Sequence, residues 1–327
     1  MIYSYLQGAV DQAFPEYEGL RVTHVAEMQG GWETTVYAFD VEQGPIAASN
    51  TIGLVARFYT GRMGPRQATT EAAVLAALAR AGIPVPTVAA TVVEDSPFGN
   101  AVSLMNRVSG RLLKESLVGS PDLIRKMAEL HLDVHRLPVE AVFDGAVEPF
   151  SDPAFVAPDP SAMQRVIEEY GLSDFAATAD WVSAHSVAQH EPTVLHNDYH
   201  PENILVDEDG AMTIIDWTFA AVGDYRVDLA WTAFWTGVMS GAGRRTELLD
   251  AYERAADRPL VDLTYFEALA LAARLLTIAL WLHDSVEPPV PKLTRSVIGS
   301  TYRPTVMTVY DRVRELTGTR IPSIERL

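Results

Sequence analysis

The segment His196-Asn-Asp-Tyr-His-Pro-Glu-Asn-Ile-Leu205 is polar as far as Asn203, carries a proline at position 201 and then turns apolar. Proline lacks a backbone donor and clashes with a preceding helical turn, so the segment must be an irregular loop feeding a strand. Asp207-Glu-Asp-Gly210 is a turn signal, and Met212 to Ile215 completes a hairpin with Ile204 to Val206. That hairpin runs into Asp216, held between Ile215 and Trp217. A free carboxylate at the end of an apolar run is costly unless a cation or several donors meet it.

The chain before this block reads as α+β. A short helix is expected over Leu6 to Phe14, and Arg21 to Met28, Thr34 to Val41 and Ile52 to Tyr59 have the β-branched and aromatic content of strands. Ala68 to Ala81 is dense in strong helix formers and stops at Gly82 with Pro84 beyond it. Strands near Thr87 to Val93 and Asn100 to Val108 follow. From Ser120, an N-cap followed by proline, the periodicity becomes helical, with Leu123, Met127, Leu130 and Val134 on one face. Further helices are expected at Ser161 to Tyr170, Asp174 to Ala188, Tyr225 to Met239, Arg245 to Ala256, Leu263 to His283 and Tyr302 to Leu316. This divides the chain into residues 1–104, a hinge at 105–110 and a helical part at 111–327.

At 327 residues and 48% hydrophobic content the chain can bury two cores. The apolar stretch Ala268 to Leu282 is broken by Arg274 and is too short to span a bilayer, so a buried helix is expected and no membrane partner. The first fifteen residues carry no Lys or Arg, and no secretory leader is expected. With no cysteine there is no disulfide framework, no thiolate metal site and no thiol nucleophile, which agrees with a cytoplasmic location. A net charge of −18 argues against nucleic acid as a partner. Pro138 to Asp180 holds nine acidic residues against Arg165, and Glu191 to Asp228 holds nine against Arg226. These runs are either a solvated surface or an acidic cleft that steers a cationic small molecule.

Asp198, Asn203 and Asp216, in this order around a hairpin, are the set that phosphoryl transfer uses: one carboxylate on the attacking hydroxyl, two oxygen ligands on a metal. The competing reading of His196-x-Asp-x-His200 is a metal-hydrolase cluster, which leaves Asn203 and Asp216 unexplained. His196 suits a buried role holding the loop, Asp224 suits a helix cap, and Asp228 suits an acceptor for backbone N–H groups of the loop. In the first part, Gly30-Gly31 with Thr34 and Thr35 is either a plain turn or a cradle for phosphate oxygens. Arg57 lies inside an apolar strand, and Glu71 is the sole acid between Glu42 and Glu94. The two form an ion pair if Arg57 is buried, or Arg57 snorkels to solvent.

Taken together, these motifs resemble the aminoglycoside phosphotransferase family within the choline-kinase and protein-kinase-like superfamily. The likeness also takes in Gly82-Ile-Pro-Val-Pro86, Leu104-Met105-Asn-Arg-Val-Ser-Gly110, Leu130-His131 and Asp228-Leu-Ala230, and so covers nearly the whole chain. It implies a bilobal fold, with an antiparallel sheet plus one helix in the first lobe and a larger, mainly helical second lobe. It implies ATP between the lobes, its adenine against the backbone at Met105, Asn106 and Val108, and its phosphates near Gly30, Gly31, Thr34, Thr35 and the Arg57–Glu71 pair. Asp198 would be the catalytic carboxylate, Asn203 and Asp216 the Mg²⁺ ligands, and the acceptor a hydroxyl of a small molecule on the helical lobe, cationic or macrolide-like. Arg57 stands where antibiotic kinases usually carry Lys; it keeps the charge but not the geometry. The rival implication is a weak or inactive nucleotide-binding scaffold.

Overall fold

The computed structural model describes residues 1–28, 34–43, 50–117, 120–145, 147–150, 152, 154–286 and 293–327. Five strands, β1 (Arg21–Met28), β2 (Thr34–Gln43), β3 (Asn50–Tyr59), β4 (Val88–Val92) and β5 (Ala101–Asn106), form an antiparallel sheet in the order β1-β2-β3-β5-β4. Strand alternation gives this sheet two unlike faces. Phe39, Leu54, Ala56, Phe58, Val102 and Leu104 lie in one core with Leu6 and Val10 of helix α1 (Ile2–Ala13). Arg57 pairs with Val36 and Ser103, and Tyr59 pairs with Thr34 and Ala101, so the opposite face carries Arg57 and Tyr59 toward α2 (Gly64–Arg80). Helix α2 starts a turn earlier than its alanine-rich run suggests, because Pro65 is tolerated in its first turn.

Val74, Leu75 and Leu78 of α2 belong to the same core as Ile124 and Met127 of α3 (Pro121–His135), Tyr199 and Trp217. That packing ties the sheet lobe to the helical lobe and sets Glu71 of α2 against the hairpin of the second lobe. The interlobe strand β6 (Arg111–Leu112) joins that hairpin, β8 (Ile204–Val206) and β9 (Met212–Ile214), in a three-stranded sheet. A further backbone bond, 2.9 Å from the Ile214 N–H to the Pro84 carbonyl, fastens β9 to the chain leaving α2.

The helical lobe comprises α3, α4 (Pro160–Tyr170), α5 (Ala176–Ala184), α6 (Tyr225–Ser240), α7 (Ala242–Ala256), α8 (Leu263–Trp281), α9 (Arg295–Ser300), α10 (Arg303–Thr317) and α11 (Pro322–Glu325), with β7 (Thr193–Leu195) paired to β10 (Ala221–Gly223). Helix α5 ends at Ala184 rather than Ala188; His185 closes it, its ring stacked on Trp181. Ser120 precedes α3 without a side-chain cap bond. Helix α8 is long and apolar enough to cross a membrane by composition, but 83% of its apolar window is buried in the fold. Full burial of each of Leu269, Leu271, Leu275, Leu276, Ile278 and Leu280 contributes about 1.5–3 kcal/mol, which makes α8 the spine of the helical core.

Candidate active site

The irregular loop between β7 and β8 hangs from one carboxylate. Asp228, fully buried on α6, accepts the His196 N–H at 2.8 Å and the Asn197 N–H at 3.0 Å. Its Oδ2 also meets Nε2 of His131 at 3.2 Å and Nε2 of His135 at 3.4 Å, both from α3. Burial opposes the Asp228 charge, but these partners outweigh it and hold the carboxyl well below the usual range. Burial, with His135 alongside, lowers His131 to about 4, so it sits neutral as a donor. Asn197 takes a left-handed φ of 61°, which an asparagine tolerates, and its amide donates 3.0 Å to the Phe219 carbonyl.

The next turn presents Asp198. Its N–H donates to Nδ1 of His196 at 3.2 Å, leaving the imidazole proton on Nε2 to reach the Ile215 carbonyl at 3.0 Å. His196 is thus a buried neutral brace between loop and hairpin, and burial depresses its pKa accordingly. The Asp198 carboxylate is doubly held: the Trp231 indole N–H donates to Oδ1 at 3.1 Å and the Asn203 amide to Oδ2 at 3.1 Å. Nε2 of His200 lies 3.5 Å from Oδ2. Burial alone would raise the Asp198 pKa; His200 and then Arg274 outweigh it and keep the carboxyl well below the usual range. Asn203 also donates 2.9 Å to the Asp198 carbonyl, and its own carbonyl accepts the Ile215 N–H at 2.9 Å, so loop and hairpin are locked together.

Asp216 ends the hairpin with a left-handed φ of 64°, an uncommon conformation for a residue with a Cβ. That conformation aims its side chain back at the sheet lobe. Arg57 spans the gap: Nη1 meets Glu71 at 3.0 Å, while Nη2 meets Asp216 at 2.6 Å and the Thr218 hydroxyl at 2.9 Å. Glu71 in turn accepts the Trp217 N–H at 2.9 Å and the Tyr59 hydroxyl. Burial works against the Arg57 charge, yet Asp216 and Glu71 beside it hold its pKa well above the ordinary value. The snorkelling alternative for Arg57 does not occur, because its side chain is 10% exposed and both outer nitrogens are hydrogen-bonded inside the protein. Among the described residues its Nε is a buried donor without a partner.

Two clusters result, Asp198–Asn203 and Arg57–Glu71–Asp216, joined through the Asn203 and Ile215 backbone. Thr34 lies on the Arg57 face of the sheet, whereas Thr35, paired with Phe58, points to the α1 side. The pair therefore does not form one cradle, since adjacent strand residues alternate. Gly30 and Gly31 lie outside the described residues. Met105 shares the Arg57 face through its pairing with Val55; Asn106 donates 3.0 Å to the Thr87 carbonyl and accepts the Thr87 N–H; Val108 follows, half-buried. The sequence reading missed Tyr59, Thr218, Trp231 and Arg274. Tyr59 and Thr218 each stand two residues beyond a named site residue, and for Tyr59 the strand period supplies a signal. Trp231 and Arg274 have none, because only helix packing brings them to Asp198.

An antiparallel sheet lobe, a helical lobe and a carboxylate loop at their junction define a kinase-like phosphotransferase fold. The chain belongs to the Phosphotransferase enzyme family, whose profile matches residues 24–269. A putative aminoglycoside phosphotransferase from Ralstonia eutropha JMP134 superposes with a TM-score of 0.62 at 18% identity, covering 94% of this chain and 98% of that one. The GDP and kanamycin complex of APH(2")-IIia does so with a TM-score of 0.63 at 15% identity, covering 96% and 98%. Uncharacterized protein YcbJ of Bacillus subtilis (strain 168) is 26% identical over 144 residues, 42% of this chain and 45% of that protein. The chain spans less than half the length of the curated relatives it matches.

Proposed function

We propose that this protein is an ATP- and Mg²⁺-dependent phosphotransferase that moves the γ-phosphoryl group to a hydroxyl of a small molecule. The observation that carries the reading is Asp198: a carboxylate kept ionised, fixed through both oxygens, beside an amide and a second carboxylate held by the other lobe. The GDP and kanamycin of the related complex lend support by analogy.

The residues fit the implied groups. Asn203 spends its amide nitrogen on Asp198, which leaves its oxygen as the ligand face. Asp216 has Oδ1 engaged by Arg57 and Thr218 while its side chain remains 29% exposed, so its other oxygen is open to a cation. Oxygen donors of this kind suit Mg²⁺. The Arg57 Nε, a buried donor without a partner among the described residues, is one that a phosphate oxygen would satisfy; left unmet, such a group costs about 1–3 kcal/mol. When bound, the metal and the nucleotide supply the phosphoryl group and screen its charge. Asp198 orients the acceptor hydroxyl and takes its proton as transfer proceeds, while Trp231 and Asn203 fix the carboxylate's direction. Arg57 holds the phosphates against the sheet lobe.

Asp198→Ala is expected to abolish transfer, assayed as acceptor-dependent ADP release, while nucleotide affinity stays within about threefold, since Asp198 acts on the acceptor side. Equal loss of binding and turnover on a folded variant would sink this assignment.

A further inference from the structure

Arg274 is the anomaly of α8. From Tyr265 to Trp281 every other residue is buried, and Arg274 alone is partly exposed. Among the described residues it makes no hydrogen bond or ion pair; its guanidinium lies instead over two rings, 4.7 Å from the centre of Trp231 and 5.5 Å from that of Phe219. The same Trp231 donates its indole proton to Asp198. Phe219 packs edge-on against Phe150 at 5.1 Å and tilted against Phe155 at 5.2 Å, which extends the aromatic wall. Beside the reactive carboxylate, then, aromatic rings flank a partly exposed, planar cation that acts on Asp198 through its charge and, among the described residues, holds no hydrogen-bond partner of its own.

A guanidinium whose face is covered by rings offers its N–H edge, and that edge matches a carboxylate. An ammonium on the acceptor would meet a like charge there. Four of the nine acids in the Pro138 to Asp180 run that suggested a cationic acceptor are engaged elsewhere: Glu148 pairs with Arg66, Asp152 accepts the Ala154 N–H with Arg62 nearby, Asp159 caps α4, and Asp174 meets Arg326.

We infer that the acceptor is a hydroxylated monocarboxylate with an apolar body, its carboxylate on Arg274, its body against Trp231 and Phe219, and its hydroxyl at Asp198. The inference rests on the phosphotransfer reading for its chemistry. The hydroxyl oxygen bonds to the γ-phosphorus, the bond from phosphorus to the β,γ-bridging oxygen breaks, ADP leaves, and the hydroxyl proton passes to Asp198.

Three probes of one shape separate the possibilities: 4-(hydroxymethyl)benzoate, 4-(hydroxymethyl)benzylamine and 1,4-benzenedimethanol, titrated calorimetrically into the full chain without nucleotide and then assayed for ADP release with Mg-ATP. The benzoate is expected to bind at least tenfold tighter than the amine, and Arg274→Gln to erase that difference with its melting temperature retained. Arg274→Lys, which keeps the charge without the fork, should retain part of it and carries the test should Arg274→Gln fail to fold. No benzoate binding, an equal or stronger amine, or a preference that survives in Arg274→Gln overturns the inference. Arg274-dependent benzoate binding without ADP release supports the site and counts against phosphotransfer; amine-selective ADP release does the reverse.

Discussion

Arg57 serves two carboxylates with two different nitrogens, and this is where Arg and Lys part company. A lysine ammonium is one point and cannot meet Glu71 and Asp216 together with the separate geometries that Nη1 and Nη2 take. Arg57→Lys should therefore leave one buried carboxylate short of a donor and lower unfolding free energy by about 1–3 kcal/mol in urea titration. An unchanged midpoint would mean that the span contributes nothing. At this scale the sequence was informative wherever a requirement is local. Arg57 in an apolar strand demanded an acid, and Glu71 was the one within reach; Asp216 at the end of an apolar run demanded donors, and Arg57 and Thr218 supply them. It was silent on Trp231 and Arg274, whose relation to Asp198 depends on how α6 and α8 pack and on no spacing along the chain.

Helix α6 does two jobs with its first turn. Asp224 caps it through the Arg226 N–H at 3.0 Å, and also pairs with the Arg226 guanidinium at 2.7 Å and accepts the His190 N–H at 2.9 Å. Asp228, one turn on, holds the catalytic-type loop. Arg226 is buried, so Asp224→Ala removes a cap and strands a cation together; a loss of about 3–5 kcal/mol in chemical denaturation is expected. A loss under about 1 kcal/mol would show that Asp262 and the Ala188 carbonyl suffice for Arg226. Both roles were readable from Gly-Asp-Tyr-Arg-Val-Asp, because capping and loop anchoring are set within one helical turn. The strands β6, β7 and β10 were not: two or three residues carry no periodicity, and their pairing is imposed by the loop they frame.

Across the molecule, the buried His131 makes the fold sensitive to mild acid. Its pKa falls from 6.5 to about 4 on folding, chiefly through burial, so between those values the unfolded chain binds the proton that the folded one refuses. Stability therefore rises with pH through that window and is lost as pH falls below 6.5. Unfolding free energy at pH 5.5 should be about 1 kcal/mol lower than at pH 7.5 from this group alone. A flat profile by urea denaturation would show that His131 is protonated against Asp228 in the folded state.

Glu71 and Arg57 come from the first third of the chain, whereas Asp198, Asn203 and Asp216 come from the last half and depend on α3 and α6 for their place. During synthesis the sheet lobe emerges carrying a cation and a carboxylate whose partners there are each other and the Tyr59 hydroxyl. The chain must be made well past Asp228 before the loop acquires its anchor. A chain cut before α6 would hold Arg57, Glu71, Asp198, Asn203 and Asp216 and still lack the carboxylate that shapes the loop, so activity reports on completed assembly rather than on the presence of the motif.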